Sequence, residues 1–165
     1  MTPLLPLLLT LALAVPSKDS TLEERRAEIA KEILPLAGRI KRQIESGDVA
    51  ALLARVPAEG LRCGRELVPK DRVERDLRAK GSWLHAFFFG GPAATAAPGQ
   101  PASLKELFAT APEVALVVEF RADPSSDTGI PCVDYRAKDT ITPGAPLCFV
   151  RRAGQWWFTQ SLYPC

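Results

Sequence analysis

Near Pro112 the apolar residues of this chain change their spacing. Before it they recur every three or four positions, as in Ile29, Ile33, Ala37, Ile40 and Ile44; after it they alternate, as in Val114, Leu116, Val118 and Phe120. A period of 3.6 buries one stripe of a helix, whereas a period of two buries one face of a strand. The chain is therefore read as helices first and antiparallel strands last, an α+β order with the N-terminal helices packed on a C-terminal sheet.

The helical half carries its own punctuation. Ser20 and Thr21, three residues ahead of Glu23 and Glu24, form two overlapping capping boxes and predict a helix start. Pro35 removes one backbone donor inside that helix, which predicts a kink near Ile33 or a break into two helices. Gly47 suits a left-handed C-cap, and Asp48 can cap a short second helix that Pro57 stops. The 61–63 stretch reads as extended. From 69 to 80 a charged segment around Val73 and Leu77 predicts an exposed third helix with supporting ion pairs. Residues 82–89, with Trp83, Leu84, Phe87, Phe88 and Phe89, must be buried, as a strand or a short helix. A Gly/Pro/Ala loop over 90–102 follows, then Ser103 opens a short helix.

Strands are expected over 114–122, 132–136, 147–152 and 155–163, with 123–131 as a polar loop. Ala153 and Gly154 predict a hairpin in which Phe149 faces Phe158 and Val150 faces Trp157.

Residues 4–15 form an apolar run broken by Pro16, Ser17, Lys18 and Asp19. Such a run is too short for a membrane span and suits the core of a secretory signal, so residues 1–17 are expected to be a cleaved leader and 18–165 one domain, secreted or periplasmic. In an oxidising compartment the four cysteines read as two disulfides. Three pairings exist; Cys132 with Cys148 and Cys63 with Cys165 are preferred, the first because their strands are expected neighbours. Zinc is disfavoured because no two cysteines lie two to four residues apart.

Lys and Arg exceed Asp and Glu by only 21 to 19. That balance gives no reason to expect nucleic acid or an anionic membrane as partner.

The long first helix, the Gly47-Asp48 step into Val49-Ala50-Ala51-Leu52-Leu53, and the final Gly154-Gln155-Trp156-Trp157-Phe158 strand resemble the NTF2-like (SnoaL-like) superfamily. The resemblance implies a cone in which a curved antiparallel sheet wraps the helices and encloses a pocket. It departs in its four cysteines and its 90–102 loop, and it carries no catalytic motif over.

Candidate chemistry is sparse. His85 is the single histidine and could act as a general base with Asp76 or Glu119 as partner. Asp123, Ser125, Asp127 and Gly129 alternate like the start of a calcium loop. Pro124 and Pro131, the absence of a glycine at the sixth position and the missing closing glutamate all argue against one. No cofactor and no metal site is expected. Trp156 and Trp157 are adjacent in a strand, so their indoles face opposite ways, with Arg151 and Arg152 in reach for cation–π contact. Either these four make a ligand surface, or helices cover one face of the sheet and the 90–102 loop the other. The expected function is a non-enzymatic module that binds a protein or small ligand. The alternative is an NTF2-like pocket enzyme, of isomerase, cyclase or hydrolase type, using His85.

Overall fold

The structure is a computed structural model describing residues 20–159 and 162–163. Helix α1 (Leu22–Ser46) starts at Thr21, whose hydroxyl accepts from the Glu24 N–H while the Glu24 carboxylate accepts from the Thr21 N–H at 2.7 Å. Of the two outcomes expected at Pro35, a kink or a break, the break does not occur: α1 is one continuous helix. Pro35 lies on the exposed side and forfeits one hydrogen bond, whereas Ile33, Leu36, Ala37, Ile40 and Ile44 are all buried on the other side. Burial of that stripe outweighs the lost bond. Gly47, at φ 74°, closes α1, and the Asp48 carboxylate accepts from the Ala51 N–H at 2.9 Å to start α2 (Val49–Leu53).

The extended 61–63 segment is β1 (Leu61–Cys63), and it pairs with a strand the sequence did not announce, β2 (Glu66–Val68). Helix α3 (Lys70–Arg78) turns Val73 and Leu77 inward and pairs Arg72 with Asp76, Arg75 with Asp71 and Arg78 with Glu74 along its outer side. The aromatic 82–89 segment is a helix, α4 (Trp83–Phe89), because Ser82 caps it by accepting from the His85 N–H at 3.0 Å. Ser103 does the same for α5 (Leu104–Thr110) through Glu106.

Four antiparallel strands form the sheet in chain order: β3 (Ala115–Asp123), β4 (Ser126–Arg136), β5 (Leu147–Arg152) and β6 (Gln155–Phe158). The molecule is thus α+β, helices first. Two boundaries differ from expectation. Most of the predicted 123–131 loop is strand, because only Pro124 and Ser125 turn the chain and a register shift opposite Arg121 and Asp123 absorbs the extra residues. Gly129, at φ 81°, makes that shift possible: a Cβ there would lie 2.5 Å from the Arg121 carbonyl oxygen. The last strand stops at Phe158 rather than Tyr163, with one further ladder bond from the Thr159 N–H to the Cys148 carbonyl at 3.0 Å.

The core lies where α1 crosses β3 and β4. There Tyr135 is fully buried, packs edge-on against Phe108 and donates its hydroxyl to the Ala37 carbonyl at 3.0 Å. Among the described residues no helix is long and apolar enough to cross a membrane.

Candidate functional site

The β5–β6 hairpin turns through Ala153 and Gly154, both at positive φ, and pairs Phe149 with Phe158, Val150 with Trp157, Arg151 with Trp156 and Arg152 with Gln155. The two central positive-φ residues match the twist of the flanking strands. Alternation then places Phe149, Arg151, Trp156 and Phe158 on the face toward α1, and Val150, Arg152, Gln155 and Trp157 on the other.

On the α1 side a carboxylate organises the pair. Glu32 accepts from the Trp156 indole N–H at 2.9 Å with one oxygen and from the Arg151 guanidinium at 3.1 Å with the other. The guanidinium carbon of Arg151 lies 5.7 Å from the Trp156 ring centroid, within cation–π range. On the opposite face Arg152 is ion-paired with Glu59, and the Trp157 indole N–H donates to the Arg152 carbonyl at 3.4 Å. The 90–102 loop is tied elsewhere: Gly91 backs onto the Lys80 carbonyl, and the Gln100 side chain accepts from the Ile141 N–H at 2.7 Å.

Arg151, Arg152 and Trp156 line a half-open groove of about 840 Å³. Its sides are residues 128–131 of β4 and 149–152 of β5; Ile29 of α1 and residues 59–62, which run into β1, also line it. Trp157 is not in its lining. Of the four residues expected to form a ligand surface, three line this groove, Arg151 and Trp156 from the α1 face and Arg152 from the other. Arg25 and Arg26 of α1 fasten the β4 side, to the Asp127 carboxylate at 2.8 Å and the Thr128 carbonyl at 2.9 Å.

The alternative catalytic residues have separate partners. His85 Nδ1 lies 2.7 Å from the Leu77 carbonyl oxygen, to which it donates its proton, and its ring tilts against Phe89. Asp76 accepts from the Tyr163 hydroxyl at 3.1 Å and faces Arg72 at 3.9 Å. Glu119 is paired with Arg136, which also holds Asp134 at 2.7 Å. Asp76 and Tyr163 line a second, smaller cavity of about 330 Å³ with Arg72, Ser82 and Trp83, and His85 lines neither cavity. Burial, reinforced by the Asp76 charge, holds the Tyr163 hydroxyl above the ordinary tyrosine range.

The 123–129 carboxylates are also occupied: Asp123 accepts from the Ser125 hydroxyl and, at 2.7 Å, from the Ser125 N–H. These bonds, the hydroxyl's first, hold its carboxyl below the usual range, while Asp127 is paired with Arg25. Among the described residues no three His, Cys, Asp or Glu side chains are placed to share a metal ion.

Cys132 and Cys148 form the expected disulfide, joining directly opposed residues of β4 and β5 whose Cα atoms are 3.9 Å apart. Cys63 is not a free thiol; its expected partner, Cys165, lies outside the described residues, as does the expected leader.

Sequence reasoning missed Glu32 and Glu59. Glu32 had a signal: it lies three residues after Ile29 and four before Leu36, which sets it on the flank of the buried stripe rather than on the outer face. For Glu59, which follows α2, no periodicity pointed to Arg152.

No protein-family profile, no curated protein and no solved structure matches the chain.

Proposed function

We propose that this chain is an exported, disulfide-bonded domain that binds an anionic ligand or partner in the β4–β5 groove and performs no catalysis. The observation that carries this reading is the groove itself: about 840 Å³, with a guanidinium stacked on an indole at its wall. That size falls within the range of ligand sites, and a few convergent polar groups on an otherwise mixed wall are what such sites use for orientation. The cations are exchangeable. Arg151 and Glu32 have side chains 51% and 45% exposed, so their ion pair contributes at most about 1 kcal/mol and a ligand carboxylate can replace Glu32 at small cost. Export is supported by the apolar 4–15 run together with a disulfide in the sheet. An NTF2-like cone is supported by α1 lying across β3 and β4, and the groove would be its mouth.

The test is titration of the purified protein with 1-anilinonaphthalene-8-sulfonate, an anionic aromatic probe. Saturable binding weakened at least fivefold by Arg151→Ala, and unchanged by Arg78→Ala on the outside of α3, is the expected result. Binding indifferent to Arg151 overturns the site. Turnover in a hydrolase and isomerase screen that His85→Ala abolishes overturns the non-catalytic reading. For export, the mature protein recovered outside the cytoplasm should begin between residues 15 and 18.

A further inference from the structure

We infer that β3 is an interface: a second copy of this chain adds to the sheet along it, antiparallel and about a two-fold axis at Phe120. The two edges of the sheet are finished differently. At β6 the outer edge is occupied, because the Phe158 N–H donates to the Arg55 carbonyl at 2.8 Å. At the opposite edge β3 is nine residues long against the four of β6, and it packs on β4 and under α1. None of its residues is buried. That holds even for Leu116, Val118 and Phe120 on the face toward α1, where Leu116 opposes the buried Tyr135 and the Arg26 guanidinium lies 5.1 Å from the Phe120 ring centroid.

Hydrogen bonds elsewhere in the sheet decide which main-chain groups β3 turns outward. The Cys148 carbonyl accepts from the Thr159 N–H and so points to β6, which makes Cys132 and Cys148 a non-hydrogen-bonded pair. Cys132 therefore turns its own groups to β3, where it opposes Glu119. Alternation then directs the groups of Glu119 and Arg121 to β4 and those of Leu116, Val118 and Phe120 outward. The Arg121 carbonyl, which crowds Gly129 of β4, lies as this requires. Among the described residues nothing bonds to the outward groups. Between Ala115 and Arg121 there is no proline and no charge on the α1 side, the devices that commonly blunt an edge.

Charge selects a second copy as the occupant. Glu119 and Arg121 are both exposed on the face away from α1, two residues and roughly 7 Å apart along the strand. Glu119 pairs with Arg136, which keeps Asp134 when Glu119 turns elsewhere; Arg121 has no ion pair among the described residues. When two β3 strands join through their outward groups, an axis through Glu119 opposes two carboxylates, and one through Val118 leaves both charges opposite apolar residues. An axis through Phe120 sets Glu119 against Arg121 of the partner subunit and Arg121 against the partner's Glu119, with the two Phe120 rings side by side under α1. Opposite charges and aromatic pairs across a strand boundary stabilise, like charges destabilise, and a two-fold interface has to be self-complementary in this way. The ladder covers residues 118–122 and ends where the register shift bends each strand.

The same axis brings both α1 helices to one face of the joined sheet. At about 100° per residue, Ala27, Ala30 and Leu34 lie on the flank of α1 away from Glu32, and therefore away from β5 and β6. Leu34 is 38% exposed on this flank, which the second α1 faces.

Sedimentation velocity of the purified, oxidised protein from micromolar to submillimolar concentration should show a reversible monomer–dimer equilibrium. Glu119→Arg and Arg121→Glu should each weaken it at least tenfold. An equimolar mixture of the two variants should form a heterodimer at least as tight as the parent dimer, which misfolded chains could not do. Dimerisation should slow hydrogen exchange at the Val118 and Phe120 amides at least tenfold. A monomer at every concentration, a mixture that stays monomeric, or protection confined to other amides overturns the inference. Arg151→Ala should leave the equilibrium unchanged, so the groove and this interface stand or fall separately.

Discussion

At Glu32 one carboxylate holds both an indole and a guanidinium, and it does so from the border of a buried stripe. Because the trio is half exposed, Glu32→Ala should lower stability by less than about 1 kcal/mol in urea unfolding. The same change frees Arg151, so sulfonate binding should tighten two- to fivefold. Tight packing of main chain makes the opposite kind of residue: Gly129→Ala meets both a positive φ and the Arg121 carbonyl, and should cost about 2 kcal/mol. Two tyrosines set an alkaline limit. Burial raises Tyr135, and burial with Asp76 raises Tyr163, above the ordinary value near 10. Below that pH both states keep their protons and the contribution is whole; above it the unfolded chain ionises first, so stability falls as pH rises past about 10. Denaturation midpoints measured from pH 8 to 11 should fall less steeply in Tyr135→Phe. The pairing of Arg151 with Trp156 was legible because strand alternation and a two-residue turn are local rules. Glu32 and Glu59 were not singled out, since choosing one carboxylate on a helix, or one beyond it, requires knowing which strand crosses there.

Elements whose ends are set by neighbouring residues read well from sequence. Thr21, Gly47, Asp48 and Ser103 cap where their types predict, and the Ala153-Gly154 turn sets the β5–β6 register that pairs Phe149 with Phe158. Removal of the Asp48 cap in Asp48→Ala should cost about 1 kcal/mol. Elements decided by distant partners did not read: β2 exists because β1 lies beside it, and residues 126–131 are strand because β3 and α1 hold them, against a composition that signals loop. Pro35 is the clearest contest. It sits on the exposed side of α1, outside the buried stripe. Pro35→Ala restores a helix donor, worth up to about 3 kcal/mol, and returns freedom to the unfolded chain, worth about 0.4–1 kcal/mol. The net expectation is a gain of about 2 kcal/mol, read as a higher urea midpoint with unchanged slope.

For the whole molecule, the disulfide is the point from which β4 and β5 separate, so covalent chemistry and binding geometry meet at Cys132 and Cys148. Their residues are 0% and 3% exposed, and the bond spans a sequence separation of 16. In the chain-entropy treatment a loop of that length stabilises by about 3 kcal/mol. For a chain near this size that corresponds to roughly 10 °C in thermal midpoint. The paired replacement Cys132→Ala with Cys148→Ala should therefore melt roughly 10 °C lower while keeping its far-ultraviolet spectrum. Burial makes a second, kinetic statement: thiolate attack needs access to sulfur, so millimolar dithiothreitol should leave the bond intact in native buffer and cleave it once urea populates open states. Alkylation mapped to the Cys132 and Cys148 peptides reads this out. Rapid alkylation without denaturant would mean that the β4–β5 junction opens locally in the native state.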